Sequence, residues 1–142
     1  MSYNELISIY KLLNVNPNIG LLGNKEKIKL IRLIGEIKNE INVLIETEKS
    51  VFAKYGIKET GSGDYNEGIA ALKETDQYNN FINEFNGLHA EQIEMQFVGF
   101  FNFTENDLLL LCSNKVVYVD GKQSEFSYTL AEYELLFKYL EN

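Results

Sequence analysis

The side chains best suited to catalysis are scarce. The 142 residues hold one histidine, His89, and one cysteine, Cys112. His89 is the only imidazole able to serve as a general base, and no nucleophile stands at a recognisable spacing from it, so it reads as a surface or boundary residue. Cys112 ends a leucine run and reads as a small core residue, because nothing beside it in sequence would depress a thiol pKa. A single cysteine excludes an internal disulfide, and with a single histidine it excludes a zinc site built from Cys and His. A free thiol also points to a reducing compartment.

Two other patterns invite a chemical reading and fail it. Gly61-Ser62-Gly63-Asp64-Tyr65-Asn66-Glu67-Gly68 has the glycines of a phosphate loop. A dinucleotide fingerprint, however, needs glycine where Asn66 stands, a Walker loop needs Gly-Lys-Ser/Thr, and both follow a strand rather than a long helix. Asp64 with Asn66 satisfies only the start of a calcium loop. The segment reads as a connector. Glu36 with Glu40 and Glu91 with Glu94 would share helical faces if the helices run that far, but without histidine partners they make no di-iron site, and they read as solvated faces. Asn102-Phe103-Thr104 matches a glycosylation sequon by chance in a chain with no evident route to secretion. No cofactor or metal is expected, and the chain does not read as an enzyme.

The informative charges are Lys25, Lys27, Lys29 and Arg32. Cations in the first turns of a helix oppose its positive end, so local stability would prefer acids there. These four residues are therefore the candidate partner-binding site, and the acidic segment between Glu59 and Asp107 of another copy is a candidate partner. The net charge is −8. Residues 25–55 carry seven basic and five acidic side chains, whereas residues 59–107 carry one and ten. That balance disfavours generic nucleic-acid binding, which needs a positive stripe. The longest apolar runs, 97–101 and 108–112, fall far short of the roughly 18–20 residues that span a bilayer. The start at Met1–Glu5 has no basic region ahead of an apolar run and does not read as a signal peptide.

These residues must be held by a fold. A composition 45% hydrophobic and 24% charged, with one proline, supports a packed core, and the length fits a single domain over 1–142. Leu6, Ile9, Tyr10 and Leu13 predict a helix over 5–14, ended by the turn formers around Pro17. Asn24 is a plausible N-cap for a long helix over about 25–55. Along it Leu30, Ile34, Ile37, Ile41, Leu44, Val51 and Tyr55 follow 4-3 spacing, with Glu48 as a polar break that could fix register. Ile28, Ile31, Leu33, Ile45 and Phe52 widen the stripe toward more than one neighbour. Gly56 is the expected cap. A mobile acidic loop is expected over 56–68 and a return helix over about 75–91. Alternation of Ile93, Met95 and Phe97 suggests a strand, with continued helix as the alternative. Thr104-x-x-Asp107 and Thr129-x-x-Glu132 are capping boxes for two further helices, the second over about 130–140 with Leu130, Tyr133, Leu136, Phe137 and Leu140 inward. Asp120-Gly121 marks a hairpin over about 115–128. The expected class is α+β, mainly α: a long helical hairpin, short flanking helices and a small antiparallel β element.

Residues 28–97, with the long helix ending Lys54-Tyr55-Gly56, the acidic glycine-containing loop and the return helix leading into Ile93-Glu94-Met95, resemble a recurrent group of small, uncharacterised, helix-rich tailed-phage proteins encoded among head and tail genes. The excess of lysine over arginine and the 16 asparagines match the AT-rich codon usage of a low-GC bacterium or its phage. The resemblance implies a non-enzymatic virion or assembly protein that packs against copies of itself or other particle proteins. It would be made in the host cytoplasm and carried into the virion, with no membrane partner. It transfers no functional residue. The competing expectation is a small acidic phage-encoded inhibitor whose segment 59–107 binds a basic surface of a host protein.

Overall fold

The computed structural model describes residues 1–93 and 103–141. In chain order the elements are α1 (Tyr3–Asn14), a single 3-10 turn (Ile19–Leu21), α2 (Asn24–Lys54), α3 (Asn66–Lys73), α4 (Tyr78–Ala90), α5 (Glu105–Leu111), β1 (Lys115–Val119), β2 (Lys122–Phe126) and α6 (Leu130–Leu140). Six α-helices and one two-stranded antiparallel sheet among the described residues make the class α+β, mainly α. The contacts gather in two compact units, Met1–Asn4 with Asn39–Ile93, and Glu5–Lys38 with Glu94–Asn142.

In the first unit the second half of α2 and α4 form an antiparallel hairpin. Lys54 and Tyr55 meet Glu84, and one to two turns back along α2 Glu48 meets His89. α2 stops because Gly56 adopts φ +69°, which lets its N–H bond Ala53 O at 3.1 Å and the Ile57 N–H bond Phe52 O at 2.9 Å. Those two bonds satisfy carbonyls that the helix end would leave orphaned. The core that follows is aromatic. Phe52 stacks on Tyr65 at 4.1 Å, and Phe81 and Phe85 lie 5.9 and 5.6 Å from it. Val51, Ile57 and Leu72 complete the buried cluster. At the other end Ser2 bridges Gln92, and the buried Tyr3 donates its hydroxyl to Glu40 at 2.8 Å. Burial, then that carboxylate, push the Tyr3 phenol up to about 12.

The loop expected over 56–68 runs as far as Tyr65, where α3 takes over. Asp64 accepts from the Ser62 hydroxyl at 2.9 Å and the Asn66 N–H at 3.0 Å, Gly63 turns at φ +82°, and α3 opens at Asn66. Sequence reading missed α3 because only Ile69 and Leu72 mark its apolar face, too short a run to register against the glycines before it. α4 begins at Tyr78 rather than near 75, because the Thr75 hydroxyl bonds Leu72 O at 2.7 Å and accepts the Gln77 N–H at 3.3 Å, forming a turn. The strand expected at 93–97 lies, beyond Ile93, outside the described residues.

The second unit buries Leu6, Ile9 and Leu13 of α1, Leu30, Leu33 and Ile37 of α2, and Phe103, Leu108, Leu111, Leu136 and Leu140. Both capping boxes form, with Asp107 N–H donating to the Thr104 hydroxyl and Glu132 N–H to the Thr129 hydroxyl. In the hairpin Asp120 and Gly121 both take positive φ, 52° and 74°, the signature of a type I′ turn that matches strand twist. Lys115 pairs with Phe126 and Val119 with Lys122. Leu130 is a correction: it is 75% exposed. On a helix of about 100° per residue it sits roughly 100° from the Leu136 and Leu140 side that reaches the core.

The turn after α1 is the polar heart of this unit. Asn16 and Asn18 are buried. The Asn16 amide donates to Leu111 O at 3.0 Å and to the Tyr128 hydroxyl at 2.7 Å. The Asn18 amide donates to Leu111 O at 3.1 Å and Ser113 O at 2.6 Å. Tyr128 in turn donates to Leu12 O, and burial first, then Cys112, hold its phenol well above the usual range, with Asn16 opposing. Two asparagines thus tie the ends of α1 and α5 to the segment between β2 and α6, and they satisfy carbonyls that would otherwise be buried without donors.

Candidate protein-interaction site

The first turns of α2 separate the four predicted cations. α2 starts at Asn24 with the Gly23 carbonyl accepting the Lys27 N–H at 2.9 Å, so Gly23 holds the cap position expected of Asn24. At about 100° per residue Lys25, Lys29 and Arg32 lie within about 60° of one another, while Lys27 points roughly opposite Lys25. Lys29 is engaged. Its Nζ stands 2.9 Å from the Glu26 carboxylate and 5.3 Å from the Phe103 ring centroid. Glu26 Oε2 is buried and makes no aligned hydrogen bond, so this contact is an ion pair held by charge and position. The ion pairs among the described residues are Lys29–Glu26, Lys49–Glu46, Lys54–Glu84, His89–Glu48 and Lys138–Glu5. Lys25, Lys27 and Arg32 join none of them.

Between these cations lies an apolar surface that sequence reading had assigned to the core stripe. Leu33 and Phe52 are buried as expected, but Ile28 is 53% and Ile31 62% exposed, and Ile45 is also exposed. The 4-3 seam itself turns inward at Leu30, Ile37, Leu44 and Val51. Ile28 and Ile31 are off that seam and project on the side flanked by Lys27 in one direction and by Arg32 and Lys25 in the other. Gly35 lies one turn beyond Ile31 on the same side, with nothing within 4 Å of where a Cβ would stand. The flanking lysines gave no signal of this, because long cationic side chains border buried stripes as readily as exposed ones.

Elsewhere, three acids of the first unit stay open. Glu67, Glu74 and Asp76 are exposed and join no ion pair. Glu67 opens α3 and Glu74 follows its last residue. Glu67, Ala70, Ala71 and Glu74 share one side by i, i+3, i+4 and i+7 spacing, and all four are exposed. Glu59 and Glu67 also line a depression of about 600 Å³ with Lys58, Thr60 and Ser62.

The residues that could do covalent chemistry are occupied otherwise. Burial, then Glu132, push the Cys112 thiol up to about 12, so it stays protonated and unreactive at neutral pH. His89 Nε2 is 2.7 Å from Glu48 Oε1, and the Phe85 ring lies 4.8 Å away. That contact explains the polar break in the α2 seam: Glu48 faces α4 and meets its only imidazole. Among the described residues no hydroxyl or thiol bonds His89 to complete a nucleophile–base pair, no group of three or more His, Cys, Asp or Glu residues could hold a metal, and no helix is long and apolar enough to cross a membrane. Comparison with protein-family models, curated proteins and solved structures finds no match to this chain.

Proposed function

We propose that this chain is a non-enzymatic structural or assembly protein that works by packing against copies of itself and other particle proteins. The resemblance to small tailed-phage proteins supplies the setting: assembly in the host cytoplasm and residence in the virion. The observation that carries the reading is the exposed pair Ile28 and Ile31, at 53% and 62%, on a helix side bordered by cations with no partner among the described residues. Covering the exposed part of each isoleucine stabilises a contact by about 1–2 kcal/mol, and the cations give that contact a sign and a direction of approach. The occupied states of Cys112 and His89 support a role without covalent chemistry.

The test is the solution mass of the purified chain by light scattering after size exclusion, at low and high salt. A defined oligomer at low salt supports the reading, since closed assemblies come from a repeated interface. A chain that is monomeric at both salts and across concentration overturns self-packing. The exposed acids Glu67, Glu74 and Asp76 favour a second reading in that event, an acidic inhibitor of a host protein with a basic surface, whose binding would weaken steeply with salt.

A further inference from the structure

We infer that assembly runs head to tail, with the Ile28–Ile31 side of α2 in one copy seated on the α3 side formed by Glu67, Ala70, Ala71 and Glu74 in the next. The inference rests on the self-packing reading and names its two surfaces. The first argument is charge. α2 borders its apolar pair with Lys25, Lys27 and Arg32, and α3 borders its alanine pair with Glu67 and Glu74, all exposed or half-buried and outside the ion pairs of the described residues. The second is shape. Ala70 and Ala71 are small and leave the α3 backbone open to approach, while Ile28 and Ile31 project from α2 with the bare backbone of Gly35 one turn beyond Ile31 on the same side.

A two-fold contact of the α2 side with itself would set Lys25, Lys27 and Arg32 against their own copies, which like-charge repulsion penalises. A contact between different surfaces avoids this. It is heterologous, so it propagates into a ring if the rotation closes and into a filament if it does not. The position of Lys25 and Lys27 in the first turn of α2, where the helix dipole disfavours cations, also gains an explanation, because their use lies in the partner rather than in their own helix.

The experiment uses two charge-reversed variants of the full chain. One carries Lys25→Glu, Lys27→Glu and Arg32→Glu; the other carries Glu67→Lys and Glu74→Lys. Each alone should raise the concentration for half-assembly at least about a hundredfold, the effect of like charges juxtaposed across an interface. Mixed in equal amounts they should assemble again, in strict alternation, because each reversed surface then faces its complement and each native surface does as well. Circular dichroism of each variant alone confirms its fold, and recovery on mixing cannot come from unfolded chains. Assembly of either variant alone at native concentrations would overturn the inference while leaving self-packing in place. Loss of assembly in both variants without recovery on mixing would overturn it too. A native chain that never assembles would remove this inference together with the reading beneath it.

Discussion

Replacing Asn18 by alanine tests whether the buried asparagine pair holds the second unit together. Asn18 is 1% exposed, and its amide donates to Leu111 O and Ser113 O at 3.1 and 2.6 Å. The Leu111 carbonyl keeps a second donor, the Asn16 amide at 3.0 Å. The Ser113 carbonyl has no other donor among the described contacts. Alanine therefore leaves one part-buried carbonyl without a donor, at about 1–3 kcal/mol, and removes a net hydrogen bond worth about 1 kcal/mol. The expected loss is about 2–4 kcal/mol, a large fraction of the 5–15 kcal/mol typical of a domain. Asn18→Asp should be at least as damaging, because it keeps the size but turns an oxygen toward two carbonyls where a donor stood. Equilibrium urea unfolding followed by circular dichroism reads both variants, with the slope checked for a change in the denatured state. An alanine variant within about 0.5 kcal/mol of the native chain, or an aspartate variant milder than alanine, would refute the reasoning.

Other perturbations probe the first unit. Glu48→Ala or His89→Ala should each destabilise by about 1–2 kcal/mol, since the partner loses its 2.7 Å contact, whereas Glu48→Leu with His89→Leu together should be close to neutral; a double-mutant cycle in urea checks the coupling. Gly68→Ala places a Cβ 2.7 Å from Ile57 Cγ2 and 3.3 Å from Ile57 Cα, so it should cost about 1–3 kcal/mol by thermal unfolding despite the better helix propensity of alanine. The Asp64 carboxyl is held below the usual range, first by the Asn66 N–H and then by the Ser62 hydroxyl. A depressed folded pKa gives a stabilisation that is complete above the unfolded value near 3.9 and disappears as pH falls through the folded value. Asp64→Asn should therefore show a shallower loss of stability in acid than the native chain, and an unchanged acid limb would count against the turn.

Much of the fold was legible in the sequence because local chemistry and tertiary packing agree there. The 4-3 seam of α2, the two Thr capping boxes, the glycine at the end of α2 and the Asp-Gly hairpin turn each specify a local geometry that the structure adopts. What was hidden depended on contacts distant in sequence. Asn16 and Asn18 look like turn formers because their carbonyl partners lie more than ninety residues away. Glu48 looked like a flaw in the seam because His89 is 41 residues on. The four cations were visible as a cluster, but spacing alone could not show that Lys29 is tied to Glu26 while Ile28 and Ile31 stand exposed beside the rest. Those isoleucines fit a wide core stripe equally well until the neighbours of α2 are known, since hydrophobic periodicity gives a face and not its partner.

The central claim is that the exposed isoleucine side of α2 joins copies of the chain, and its most direct test is sedimentation velocity of the native protein beside Ile31→Lys over a wide concentration range. Ile31 is 62% exposed, so the substitution leaves the fold intact and places a charge in the middle of the proposed contact. The native chain should grow in mass with concentration at low salt while Ile31→Lys stays at the monomer mass. A variant that assembles in step with the native chain would contradict it.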